Sequence, residues 1–122
     1  MIKTINHSGF VVADLERSLA FYRDVVGMKI TRTVDRSGPP ISQIVGYEAT
    51  HLIGVHMSSG TGPTLELIQY LSPRSSRQVT SERNALGASH IAFEVDDIHA
   101  AYETLKANGA QIMNPPAELE PG

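Results

Sequence analysis

The sequence contains no cysteine. Disulfides, thiolate metal sites and a cysteine nucleophile are therefore excluded. Any metal must sit on imidazole, carboxylate, amide or water. Positive charge is scarce: ten Lys and Arg stand against thirteen Asp and Glu, for a net charge of −3. That balance leaves no basic footprint for nucleic acid or a membrane surface. No apolar run is long enough to span a bilayer, and no signal peptide precedes the first strand pattern. The cytoplasm is the default location. What remains is 122 residues, 41% apolar and 19% charged, the size of one ordinary domain with one core.

The chain says one thing twice. Asn6-His7-Ser8-Gly9-Phe10-Val11-Val12-Ala13-Asp14-Leu15 returns as Ser89-His90-Ile91-Ala92-Phe93-Glu94-Val95-Asp96-Asp97-Ile98. One constant offset carries His7 to His90, Phe10 to Phe93, Val12 to Val95, Asp14 to Asp97 and Leu15 to Ile98. A fixed offset along a whole segment marks an internal repeat. Two copies imply a pseudo-symmetric pair of modules with two histidines at equivalent points.

Alternation predicts a strand over 5–12, with Ile5, His7, Gly9 and Val11 on one face and Asn6, Ser8, Phe10 and Val12 on the other. Asp14 caps a helix whose stripe is Leu15, Ser18, Leu19, Tyr22 and Val26, and Gly27 ends it. A second strand is expected over 28–34 and a functional or mobile loop over 35–49. Strands over 50–58 and 64–71 follow, joined by a short turn as an antiparallel hairpin. Polar residues 72–87, with Arg74, Arg77 and Arg83, read as a linker with solvated charge. The second module opens with a strand over 88–95. Its helix is capped by Asp97, striped by Ile98, Ala101, Tyr102 and Leu105, and ended by Gly109. A last strand is expected over 110–113.

The fold class expected is therefore α+β. Residues 1–71 form a βαβββ module, 72–87 the linker, and 88–122 a second module reduced to βαβ. Together they would make one structural domain with a cup-shaped, half-barrel sheet. Two strands, on the order of thirty residues, are missing from the second copy, and omitting them exposes ladder edges. The expectation is a fragment, a disordered remainder, or a chain completed by another chain.

Glycine and alanine beside His7 and His90 leave room next to each imidazole. In Leu65-Glu66-Leu67, Glu66 faces away from the leucines; if these pack under the helix, Glu66 points into the cup. A carboxylate in a cavity is costly unless paired or metal-bound. His7, Glu66 and His90 would form an N/O site for zinc, nickel, cobalt, manganese or iron. Glu94, on the face of His90, is a further candidate base. His51 and His56 lie five apart, on opposite faces of one strand, so at most one lines the pocket. His99 reads as surface; Phe21, Tyr22 and Tyr102 read as core; Tyr47 and Tyr70 are candidate pocket walls.

The segment from His7 to Gly27, His-x-Gly-x-x-Val-x-Asp-Leu-Glu-x-Ser-Leu-x-Phe-Tyr-Arg-Asp-x-x-Gly, resembles the opening of the vicinal oxygen chelate superfamily. That group includes glyoxalase I, methylmalonyl-CoA epimerase, bleomycin and fosfomycin resistance proteins and extradiol dioxygenases. Leu65-Glu66-Leu67 resembles its fourth-strand ligand segment, and 89–97 its second-module opening. The resemblance implies paired βαβββ modules around one divalent ion held by His7, Glu66 and His90. The family's fourth ligand, a glutamate on the last strand, would fall beyond the last residue. His, Glu, His is nearer to the glyoxalase arrangement than to that of the epimerases, which usually have Gln second. A homodimer is implied, sometimes with exchanged strands.

The chemistry implied is bidentate chelation of two neighbouring substrate oxygens, with proton transfer by a carboxylate, Glu66 or the glutamate that would fall beyond the last residue; Glu94, which shares a face with His90, is a further candidate. The expected activity is that of a metal-dependent lyase or isomerase acting on a small α-oxygenated carbonyl compound or thioester. Two alternatives stand beside it. One is a metal-free protein that sequesters a small ligand. The other is an Fe(II) dioxygenase, whose two-His, one-carboxylate count the same residues satisfy.

Overall fold

The computed structural model describes residues 1–119; Pro121 and Gly122, assigned above to the second module, lie outside the described residues. The chain divides into two compact units, Met1–Arg77 and Gln78–Gly122, each described by itself.

The first unit holds one mixed four-stranded sheet in the order β1-β4-β3-β2. Its strands are β1 (His7–Val11), β2 (Lys29–Ser37), β3 (His51–Ser58) and β4 (Thr64–Ser72). β1 runs parallel to β4, while β2–β3 and β3–β4 are antiparallel. The hairpin expected between β3 and β4 is present. The sheet is open, with β1 and β2 as its outer strands. This α+β architecture gives the first unit the expected order of strand, helix and three strands.

Helix α1 (Leu15–Leu19) begins at Asp14, whose carboxylate accepts from Arg17 N at 3.1 Å. The free N–H of Leu15 finds the carboxamide of Gln69 on β4 at 2.9 Å, so the cap ties the helix to the sheet. From Ala20 to Val25 the helix widens to π-type, and Val26 N bonds Phe21 O at 3.0 Å. Gly27 follows at φ +88°, in the left-handed region that glycine adopts without a Cβ penalty.

Strand alternation then sorts the core from the cup. Leu65 and Leu67 on β4 and Val55 and Met57 on β3 are buried with Leu15, Leu19 and Met28. Burying each such side chain contributes about 1.5–3 kcal/mol. Glu66 alternates to the opposite face, and the condition placed on it by the sequence is met.

Three expectations are corrected. Residues 35–49 are not loop throughout: β2 continues to Ser37, and helix α2 (Pro39–Val45) follows. Pro39 and Pro40 stand at its first positions, where a fixed φ and a missing N–H cost nothing. Gly46 ends it at φ +79° and donates to Ser42 O at 2.9 Å.

In the second unit, α3 (Ile98–Ala107) forms, with Asp97 accepting from His99 N and Ala100 N, both at 3.0 Å. The expected strands over 88–95 and 110–113 do not form. Alternation only sorts the two faces of a strand; a ladder partner makes it one, and the described residues of this unit give these segments none. Phe93 and Val95 are accordingly 43% exposed.

Nor are Phe21, Tyr22 and Tyr102 core. They are half-buried: Phe21 and Tyr22 meet edge to face at 5.1 Å, and Lys106 Nζ lies over the Tyr102 ring at 5.7 Å. No helix of the described residues is long and apolar enough to cross a membrane.

Candidate functional site

The register fixes which side chains share the cup face of the first unit. Gly9 on β1 lies beside Glu66 on β4, and Glu66 beside His56 on β3. His56 in turn pairs with Arg32 on β2. Two residues earlier on their strands, His7 lies beside Thr64. Because the side-chain period of a strand is two, His7, Thr64, Glu66, His56 and Arg32 all belong to one face.

Glu66 is the centre of this group. Its Oε2 lies 3.2 Å from His7 Nε2, and its Oε1 lies 3.4 Å from His56 Nε2. The Glu66 and His56 side chains are only 15% and 16% exposed, against 41% for His7. The His7 and His56 rings meet edge to face, with centroids 5.1 Å apart. Gly54 makes room for the carboxylate: a Cβ there would stand 2.8 Å from Glu66 Oε1 and 3.1 Å from Val34 Cγ2.

The His7 hydrogen bond bears on what fits here. Its Nδ1 is 2.7 Å from Asn6 Oδ1. A carboxamide oxygen only accepts, so Nδ1 carries the hydrogen, and a neutral His7 turns the Nε2 lone pair to Glu66 Oε2. Two lone pairs at 3.2 Å repel unless a proton or a cation lies between them. Two ligands held about 2.1 Å from one ion stand about 3.0–3.4 Å apart, depending on the coordination angle. The His7–Glu66 spacing thus fits two donors of a divalent ion. Among the described residues, no three His, Cys, Asp or Glu side chains form a group ready to hold an ion, so this pair needs a further donor.

His7 and Glu66 are brought together as a pair. His90 and Glu94 lie in the second unit, on an exposed segment without strand structure. Of the two β3 histidines, at most one of which was expected to line the pocket, His56 is the one beside Glu66. The signal was present in the turn: a hairpin closing at 59–63 sets His56 opposite Glu66. His51, as its spacing implied, faces the other way, and its Nε2 meets Asp35 Oδ1 at 2.7 Å. Tyr70 shares the Glu66 face about 13 Å along β4 and meets Tyr47 edge to face at 6.2 Å.

A family model described as Glyoxalase/Bleomycin resistance protein/Dioxygenase superfamily matches residues 4–120. The chain is 32% identical over 114 residues to an ethylmalonyl-CoA/methylmalonyl-CoA epimerase of Cereibacter sphaeroides, covering 93% of this chain and 76% of that protein. It is 28% identical over 122 residues to a 2-epi-5-epi-valiolone epimerase of an Actinomyces species, covering 97% and 66%. A lactoylglutathione lyase of Haemophilus influenzae is 28% identical over 118 residues, covering 97% and 77%. The chain therefore spans about two thirds of the valiolone epimerase's length. In fold it is similar to a glyoxalase family protein of Bacillus cereus, with a TM-score of 0.89 at 21% identity over 98% of this chain and 81% of that one. The chain belongs to the Glyoxalase/Bleomycin resistance protein/Dioxygenase superfamily.

Proposed function

We propose that the chain is a divalent-metal-dependent isomerase or lyase that moves a proton next to a carbonyl or thioester group of a small substrate. The observation that carries this reading is the pairing of His7 Nε2 with Glu66 Oε2 at 3.2 Å, with the His7 hydrogen held on the other nitrogen by Asn6. The epimerases and the lyase among the relatives support the same reaction class. In this reading His7 and Glu66 hold the ion, and a further donor completes its shell. A bound zinc, nickel, cobalt, manganese or iron ion would supply Lewis acidity toward two neighbouring substrate oxygens.

The chain's own residues do the remaining work. Glu66 accepts and returns the proton. The apolar side chains of Val34 and Ile68 flank the carboxylate on the cup face. Arg32 and Arg36 lie on the β2 part of that face by register, and they favour a substrate that carries negative charge. The open β1 and β2 edges fit pairing with another copy, so a homodimer, with or without exchanged strands, belongs to the same reading.

Solvent exchange tests it. Protein loaded in turn with each of the five metals is incubated with 2-hydroxyacyl and malonyl-type thioesters in D2O, and the α-proton signal is followed by NMR. The expected result is exchange that needs both metal and Glu66 and is lost in Glu66→Gln. Oxygen uptake with Fe(II) would instead establish the dioxygenase. Ligand binding without exchange or turnover would establish sequestration.

A further inference from the structure

We infer that His56 is a positioning residue that holds one oxygen of Glu66, so that the carboxylate presents a single oxygen beside His7. The inference rests on the reading of Glu66 as an ion ligand and deepens it.

His56 and Glu66 are direct cross-strand partners on the antiparallel β3–β4 pair, where Cβ atoms stand about 4.5–5.5 Å apart. His56 is bracketed at both nitrogens. Its Nδ1 is 3.2 Å from Thr64 Oγ1 and its Nε2 is 3.4 Å from Glu66 Oε1. An ionised carboxylate only accepts. A neutral His56 that serves it must carry its hydrogen on Nε2, and Nδ1 is then left to accept from the Thr64 hydroxyl. That tautomer sets one order: Thr64 O–H donates to Nδ1, and Nε2–H faces Glu66 Oε1 across 3.4 Å.

Packing holds this order in place. The His7 ring stands edge to face against His56 at 5.1 Å. Oε1 lies in the space left by Gly54, where a Cβ would come within 2.8 Å. With Oε1 engaged, Oε2 is the oxygen that faces His7 Nε2. A one-oxygen carboxylate occupies one position on an ion, whereas a two-oxygen carboxylate would occupy two. The position spared is available to a substrate that chelates through two oxygens. Partners that orient a ligating group in this way typically account for about 10–100-fold in metal affinity.

Two readouts on the full chain test the inference. Long-range 1H–15N spectra of the metal-free protein report the His56 tautomer. Titration with Co2+, followed by its d–d absorption, reports affinity and ligand field. The expected tautomer is Nε2–H, with its resonance displaced in Thr64→Val. His56→Phe should weaken Co2+ by about 10–100-fold. His56→Gln, whose amide N–H can still reach Oε1, should stay within about threefold and keep the wild-type band.

An Nδ1–H tautomer, or a His56→Phe protein that binds Co2+ like wild type, overturns the inference. So does a His56→Gln protein as weak as His56→Phe with a displaced band, since His56 would then be a ligand itself. Wild-type protein that binds no Co2+ refutes the metal reading alone. In that case the tautomer decides: Nε2–H sensitive to Thr64→Val sustains the pairing with Glu66, and any other result removes it.

Discussion

Replacing Gly54 with alanine should separate the site from the fold. The new methyl group would start 2.8 Å from Glu66 Oε1 and 3.1 Å from Val34 Cγ2. Reaching ordinary contact at 3.4 Å takes a shift of about 0.6 Å at the carboxylate. Glu66 can give way, because the clashing atom is the end of a flexible side chain. Overpacking costs about 1–3 kcal/mol, and replacing a strand glycine with alanine returns about 0.5–1 kcal/mol. The protein should therefore still fold, within about 2 kcal/mol of wild type by urea denaturation. The site is less forgiving, since constellations of this kind tolerate about 0.5 Å. Zinc titrated calorimetrically into Gly54→Ala should bind about 10–100-fold more weakly than to wild type. Unchanged zinc affinity in the folded variant would refute the placement of the carboxylate in the ion site. A loss of stability well above 3 kcal/mol would mean that Gly54 serves strand packing instead.

Three further outcomes are expected. His7→Ala should abolish stoichiometric divalent metal at neutral pH, read by elemental analysis; unaffected metal content removes His7 from the ligand set. Leu67, with no exposed surface, should cost about 2–5 kcal/mol on truncation to alanine, and a urea midpoint equal to wild type would contradict its place in the core. Burial raises the Tyr22 phenol above its ordinary value of 10.0, so the unfolded chain loses that proton first as pH rises. Stability should be fully present below pH 10.0 and fall as pH rises through the folded value; in Tyr22→Phe the fall should shrink, and an identical alkaline profile would refute it.

Much of the first unit was legible because local signals and tertiary packing agree there. Asp14 and Gly27 bound the helix in both readings, and the Leu65-Glu66-Leu67 alternation put the acid on the cup face. Helix α2 was missed because Gly38-Pro39-Pro40 reads as a turn when taken one dipeptide at a time. The same prolines open a helix once Ile41, Ile44 and Gly46 are counted with them. His56 was placed on the right strand, but its partner depends on register, which the hairpin turn sets and a one-strand reading omits. The strands expected over 88–95 and 110–113 show the converse. The repeat carried a pattern of faces from the first module to the second, but a pattern does not supply the neighbouring backbone that strand hydrogen bonding requires.

The most direct measurement is anomalous diffraction from crystals of the chain grown with zinc, recorded on both sides of the zinc absorption edge. The expected result is one strong site about 2.0–2.2 Å from His7 Nε2 and from Glu66 Oε2, with His56 on Oε1. Zinc elsewhere, or a His7–Glu66 pair with only a hydrogen bond between its members, would contradict it.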